Sequence, residues 1–166
     1  MKEIFYGIVL LFSFTSFGQE VFKYDFDENL SLNVVDDTEE GEMANGKYLR
    51  GTFENEVITF SSSNKAKDKM GALDEVGLLK IFQGVRDGNL KSTKGKLISE
   101  EILDLRDIKV SKFKILFSLE GKNKVFESYV FAYKNIIYTF QFMNNEKEFE
   151  KLNGFRKSIL DSITFK

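Results

Sequence analysis

Between Ser111 and Met143 apolar and polar residues exchange places at almost every step. Phe113, Ile115, Phe117 and Leu119 alternate with Lys112, Lys114 and Ser118, the period of two that a half-buried strand requires. After the turn at Glu120-Gly121-Lys122-Asn123 the alternation resumes, with Val125, Glu127, Tyr129, Phe131 and Tyr133 on one side and Phe126, Ser128, Val130 and Ala132 on the other. Lys134-Asn135 can close a two-residue hairpin, beyond which Ile136, Tyr138, Phe140 and Phe142 oppose Ile137, Thr139, Gln141 and Met143. These three runs predict an antiparallel meander. The period then changes: Phe149, Leu152, Phe155, Ile159 and Ile163 recur at three or four, as in an amphipathic helix, with Asn145 and Glu148 as its capping box. Glu146, Glu148 and Glu150 near its start, and Arg156 and Lys157 towards its end, suit the helix dipole. Ile163-Thr164-Phe165 closes the chain as a short strand or packed tail.

The amino-terminal half is less regular. Leu30, Leu32 and Val34 alternate, and Tyr48 to Phe53 and Val57 to Phe60 flank a turn at Glu54-Asn55, so three strands are expected, with Val21 to Phe26 a possible fourth. Met70 to Val85 has helical spacing at Leu73, Val76, Leu79 and Phe82 and again at Leu78, Ile81 and Val85. Gly71, Gly77 and Gly84 each cost such a helix roughly 1 kcal/mol relative to alanine, and Gly88 is a natural stop. An exposed loop from Lys91 to Lys96 then leads into a strand from Leu97 to Leu105. The order predicts an α+β fold: an antiparallel sheet of about six to eight strands packed with two main helices.

That order, together with the aromatic hairpin VFESYVFAYKNIIYTFQF and the ending ILDSITF from Ile159 to Phe165, resembles the PsbP-like family. The resemblance implies an α-β-α sandwich around a central antiparallel sheet and a noncatalytic accessory or binding role. It supplies no functional residue. The chain departs from the family in lacking the proline and tryptophan that often mark its early strands.

The first eighteen residues add an address. Lys2 supplies positive charge, Ile4 to Phe14 an apolar stretch of about 11 residues, and Ser16-Phe17-Gly18 a small-x-small cleavage site, the parts of an export signal. A spanning helix needs roughly 20 residues, so no permanent membrane span is expected in the mature chain. The segment is similar to the leaders of exported proteins in Bacteroidota, and cleavage after Gly18 makes Gln19 the mature amino terminus. Residues 19–166 then form a single α+β domain, periplasmic or extracellular.

Composition narrows the chemistry. The chain has no histidine, cysteine, tryptophan or proline. That removes the commonest neutral-pH base, thiolate nucleophiles, cysteine-ligated zinc and disulfides. A formal charge of −2 gives no field for polyanions, so nucleic acid is not an expected partner. No cofactor is expected. The preferred function is a noncatalytic envelope protein that binds an extracytoplasmic protein or an apolar small molecule. Its rivals are a histidine-free hydrolase built on carboxylates and a carrier of an apolar ligand.

Several constellations are candidate sites. Asp25, Asp27, Asn29, Ser31, Asn33 and Asp36 faintly resemble a calcium loop, but Leu30 stands where its turn glycine belongs and a strand with polar residues facing water explains them better. Asp36, Asp37, Glu39, Glu40 and Glu42, in an expected loop ending at Asn45-Gly46, could collect a cation, although solvated acidic loops are commoner. Lys65, Lys67 and Lys69 with Lys91, Lys94 and Lys96 flank the first helix and could meet a small anionic ligand or a membrane surface, although without aromatic interleaving or a glycine-rich phosphate loop solvated loop lysines are the preferred reading. Ser128 with Lys112 or Lys114, and Glu127 with Asp104, are the conceivable catalytic pairs, without a nucleophile motif around Ser128. No catalytic residue is assigned. The candidate ligand or partner face is aromatic: Tyr129, Phe131, Tyr133, Tyr138, Phe140 and Phe142, either a core sealed by helices or a partly open pocket.

Overall fold

A computed structural model describes residues 21–64 and 74–166. The export signal, Gln19, Lys65, Lys67, Lys69, Met70, Gly71 and Leu73 lie outside the described residues. In chain order the elements are β1 (Val21–Asp25), β2 (Leu30–Val35), β3 (Glu39–Met43), β4 (Gly46–Phe53), β5 (Glu56–Ser63), α1 (Glu75–Thr93), β6 (Lys96–Leu105), β7 (Ile108–Leu119), β8 (Lys122–Tyr133) and β9 (Ile136–Asn145). The chain closes with α2 (Glu146–Phe149), a 3-10 turn (Glu150–Leu152), α3 (Asn153–Asp161) and β10 (Thr164–Phe165).

The main sheet is antiparallel and seven-stranded, in the order β3-β4-β5-β9-β8-β7-β6. A second sheet, β1-β2-β10, shares no strand with it. Two-residue turns join β4 to β5, β6 to β7, β7 to β8 and β8 to β9. In each turn both residues have positive φ: Glu54 46° and Asn55 66°, Arg106 49° and Asp107 67°, Glu120 51° and Gly121 75°, Lys134 48° and Asn135 62°. This hairpin geometry matches the right-handed twist of the flanking strands.

Strand alternation gives the main sheet two faces. One carries Phe113, Ile115, Val130 and Ile137, covered by α1 through Leu78, Ile81, Phe82, Val85 and Leu90. The other carries Leu49, Ile58, Phe60, Val110, Val125, Phe131, Tyr138, Phe140 and Phe142, packed against Leu30, Leu32 and Val34 of β2 and Phe149, Ile159 and Ile163 of the carboxyl-terminal segment. Of the two apolar stripes on α1, the one through Leu78, Ile81 and Val85 faces the sheet. Val76 and Leu79 are exposed, and Phe82 belongs to both stripes.

Four expectations are corrected. Helix α1 runs through Gly88 to Thr93, because Val85 and Leu90 keep packing on the sheet and Asn89 and Thr93 donate back to the carbonyls of Val85 and Asn89. Lys94, in the left-handed conformation, ends it, so Lys91 is helical rather than part of a loop. Gly95 is needed next, since a Cβ there would lie 2.4 Å from Ile115 Cγ2. The acidic segment from Glu39 is strand β3 at the sheet edge, not a loop, because Glu39 to Met43 pairs with Gly46 to Arg50. The polar side of β2 does not face water: Ser31 is fully buried, because β2 is the middle strand of its sheet and also meets α3.

The fourth correction concerns the carboxyl-terminal helix, which is broken into α2, the 3-10 turn and α3. The capping box does not form: Asn145 makes no side-chain cap, and its own N–H donates to Asn144 Oδ1 at 2.7 Å. The apolar stripe still docks through Phe149, Leu152, Ile159 and Ile163, while Phe155 is only half-buried, stacked on Phe53 at 3.9 Å between centroids.

The phase of α1 can be checked by truncation. Phe82→Ala should cost about 3–5 kcal/mol through lost burial and a residual cavity, whereas Leu79→Ala on the exposed side should stay within about 0.5 kcal/mol. Urea melts of both variants measure the contrast; equal losses would mean that the wrong stripe has been assigned.

Candidate functional site

The half of the main sheet that faces α3 contains charge. Glu56 opens β5, Glu127 sits in β8 between Val125 and Tyr129, and Arg156 lies on α3; all three are at most 1% exposed. Their meeting follows from register. In β9, Phe142 pairs with Glu127 on one side and with Ile58 on the other, so β5 and β8 present their carboxylates across a single intervening strand. Phe149 and Ile159, seven residues before and three after Arg156, are buried, which carries the guanidinium inward on the apolar side of its helix.

Arg156 Nη1 donates to Glu56 Oε1 at 3.2 Å, to Glu56 Oε2 at 3.0 Å and to the Phe149 carbonyl at 2.7 Å, and Nη2 donates to Asn153 Oδ1 at 3.1 Å. Its Cζ lies 3.7 Å from the centroid of the Phe149 ring. Glu127 Oε1 stands 3.7 Å from Arg156 Nε and accepts a 2.8 Å hydrogen bond from the Tyr129 hydroxyl. Lys114 Nζ is 3.3 Å from Glu127 Oε2 and 3.0 Å from Glu150 Oε1; Lys112 Nζ is 2.9 Å from Glu101 and 4.0 Å from Glu127. Arg156 Nε, facing Glu127 Oε1, and Glu127 Oε2, facing Lys114, thus have ion-pair partners but make no hydrogen bond.

Burial dominates the titration of this cluster. It pushes Glu56 up to about 7, and the negative charge of Glu127 adds to the rise, against the lowering effect of Arg156. Burial, then the charge of Glu127 and the hydrogen bond to it, raise Tyr129 well above the usual phenol range. For Lys114 burial acts downward, but Glu150 and Glu127 outweigh it and hold the ammonium above its ordinary value. Glu150 is held below the usual carboxylate range, chiefly by its bond to Lys114.

A cleft of about 560 Å³ opens beside this cluster, between α3 and the strands β6, β7 and β8. Leu103, Leu105, Val110 and Leu160 line it, with Lys112, Tyr129 and Arg156 on its inner side and the exposed Lys157 and Asp161 outside. Arg106, in the β6–β7 turn, ties the sheet to the end of α3: Nη2 donates to the Asp161 carbonyl at 2.8 Å and Nη1 to the Ile163 carbonyl.

The aromatic set is divided by the fold. Phe131, Tyr138, Phe140 and Phe142 are closed inside the core, covered by the second sheet and α3 rather than by the long helix, which packs on the opposite face. Tyr129 and Tyr133 are half-buried; Tyr129 lines the cleft, whereas Tyr133 donates to the Lys166 carbonyl at 2.7 Å. The space lined by β2 and Phe140 is about 20 Å³, room for a water molecule and not for an apolar ligand.

The conceivable catalytic pairs are separated. Ser128 is buried on the α1 face, while Lys112 and Lys114, which pair with Tyr129 and Glu127, lie on the other. Asp104 alternates away from Glu127 and meets Lys109 at 3.7 Å. In the acidic segment, Glu40 accepts from Tyr24 and from Lys47 at 3.0 Å, and Asp37 accepts from the Thr52 N–H at 2.9 Å. Asp36, Glu39 and Glu42 do not join them in a cluster able to hold a metal, and none exists among the described residues. The calcium-like series is likewise dispersed: Asp27 accepts from the Tyr138 hydroxyl at 2.8 Å and Asp25 pairs with Lys166 at 2.6 Å.

Comparison with known proteins places the architecture. A cyanobacterial PsbP from Synechocystis is similar at a TM-score of 0.63 and 13% identity, covering 94% of this chain and 99% of that one. LpqN of Mycobacterium tuberculosis, described as involved in cell envelope biogenesis, gives 0.56 at 14% identity, covering 88% and 90%. A Pseudomonas aeruginosa protein of unknown function, described as a putative regulator, gives 0.52 at 9%, covering 82% and 91%. The chain therefore has the PsbP-like fold. No protein-family model and no curated protein matches its sequence. Among the described residues no helix is long and apolar enough to cross a membrane.

Glu56 makes the cluster visible to pH. Because its folded pKa is raised above the ordinary carboxylate value, the stability it contributes is full below about 4.5 and is lost as pH rises through about 7. Asp25, Glu40 and Glu150 are shifted downward, away from that window, and the chain has no histidine. Urea melts should show declining stability across that window, and Glu56→Gln should flatten the decline. An unchanged slope in Glu56→Gln would assign the effect elsewhere.

Proposed function

We propose that this chain is an exported, noncatalytic binding or accessory protein of the cell envelope, formed by a single domain from Gln19 onward, and that its binding site is the cleft beside α3. One observation carries the reading. The cleft has leucine and valine walls, while the charged groups on its inner side are already committed to one another. A carboxylate acting as acid or base needs access to the reacting proton, but Glu56 and Glu127 are buried and held by Arg156, Lys114 and Tyr129. Apolar walls with a compensated base favour shape-based binding over turnover.

The leader-like order of the first eighteen residues supports export, and the description of LpqN supports an envelope role. None of the compared proteins is described by a reaction. The expected partner is an extracytoplasmic protein or an apolar small molecule seated in the cleft, since the space beside β2 and Phe140 holds only about 20 Å³.

A photo-crosslinking benzophenone side chain at Lys157, on the cleft, should form a discrete adduct in cells that export the protein. The same group at Lys122, on the β7–β8 hairpin, should not. Adducts from both positions alike, or a turnover activity abolished by Glu127→Gln with the fold intact, would contradict the reading.

A further inference from the structure

The cleft beside α3 carries its apolar surface inside rather than around it. Leu103, Leu105, Val110 and Leu160 form its walls, whereas none of the large apolar side chains that are exposed among the described residues lines it. Ile102, next to Leu103 in sequence, points to the α1 face, as does Glu100, the cross-strand partner of Phe113. A stable interface between proteins needs a broad surface, to which about 20–30 residues a side contribute, with an apolar patch at its centre. The volume of about 560 Å³ falls instead in the range of small-molecule pockets, about 300–1,000 Å³.

Every charged side chain that lines the cleft has a counter-ion within the fold. On the inner side Arg156 is held by Glu56 at 3.0 Å, and Lys112 lies 2.9 Å from Glu101 and 4.0 Å from Glu127, its Nζ 5.7 Å from the centroid of the Tyr129 ring. On the outer side Lys157 meets Asp161 at 2.5 Å and Asp104 meets Lys109 at 3.7 Å. An anion seated at Lys112 would stand beside two carboxylates; a cation seated at Asp161 or Asp104 would stand beside Lys157 or Lys109. Either sign of charge on a ligand therefore meets a like charge together with its counter-ion, and it gains too little to offset leaving water. The neutral polar groups are engaged as well, since the Tyr129 hydroxyl donates to Glu127 and Asn153 Oδ1 accepts from Arg156.

We infer that the occupant of the cleft is a small, uncharged, apolar molecule, enclosed between α3 and the strands β6, β7 and β8 by the leucine and valine walls. This inference rests on the proposed use of the cleft and names which of its two expected partners fills it. Burial of apolar surface supplies the affinity; the confined volume and the paired charges supply the selectivity, against large ligands and against ions of either sign.

Titration of the mature protein with N-phenylnaphthylamine, an uncharged probe that fluoresces in apolar surroundings, should give saturable binding at one site. Anilinonaphthalene sulfonate, the same ring system carrying an anion, should bind about tenfold more weakly. Gly154 lines the cleft with nothing within 4 Å of where a Cβ would stand, so Gly154→Phe should fold and, by narrowing the cleft, weaken the uncharged probe about tenfold. Gly88→Phe, at an equally open position on α1, should leave it unchanged. Leu160→Gln, which makes one wall polar, should weaken it with the circular dichroism spectrum intact. Equal or tighter binding of the sulfonate would overturn the inference in favour of an anion. So would an affinity that Gly154→Phe leaves unchanged or that Gly88→Phe lowers as much, or the absence of saturable binding up to the solubility of the uncharged probe. If that binding is absent while the Lys157 adduct proves to be a protein, the cleft remains the binding site and only the small-molecule occupant falls.

Discussion

One guanidinium shared between two buried carboxylates fixes how the carboxyl-terminal segment sits on the sheet. Arg156 reaches Glu56 on β5, approaches Glu127 on β8 and binds the carbonyl of Phe149, so a single side chain of α3 holds two strands and the end of its own preceding helix. Apolar contacts from Phe149, Leu152 and Ile159 supply most of the docking energy but tolerate sliding. A hydrogen-bonded ion cluster does not, because displacing the guanidinium leaves charge buried without a partner, at a cost of about 3–5 kcal/mol. The break of the helix at Glu150–Leu152 is compatible with the same demand, since it sets α3 apart from α2 while the Phe149 carbonyl stays within reach of Arg156.

The cleft is a consequence of this placement. Helix α3 is held near the middle of the sheet, between β5 and β8, and the sheet continues past it through β7 to β6. Leu103, Leu105 and Val110 therefore line a space that α3 borders without filling. Arg106 braces its far end by binding the carbonyls of Asp161 and Ile163. Lys112 and Lys114 stand between the cluster and solvent, each held by a further carboxylate, Glu101 or Glu150. The charges beside the cleft are thus met within the fold.

Much of this fold was legible in the sequence because alternation was strict where strands are half-buried. The meander from Phe113 to Met143 and the terminal apolar stripe from Phe149 to Ile163 follow from period alone. Strand β3 escaped because Glu39, Glu40 and Glu42 have no apolar face: it is an edge strand made by pairing, not by burial. The end of α1 was misplaced because Gly88 is tolerated where nothing crowds it. The cluster was half visible. Glu127 alternates with Val125 and Tyr129, Glu56 shares the parity of Ile58 and Phe60, and Arg156 falls on the stripe of Phe149 and Ile159, so three charges stood at core positions. What the sequence could not supply was the β5–β9 pairing, a contact between residues more than seventy apart that brings the three together. That β6 ends the main sheet among the described residues was invisible for the same reason, since strand order is not written in local period.

The central claim is that Arg156 and Glu56 act as a unit that locks α3 to the sheet, and a double-mutant cycle at pH 8 tests it most directly. Denaturant stabilities of the wild type, Arg156→Met, Glu56→Gln and the double variant give the coupling. The account predicts that the double variant is more stable than the sum of the single losses implies, by at least about 1.5 kcal/mol, because each single change strands a buried polar group that the other removes. Additivity within about 0.5 kcal/mol would contradict it.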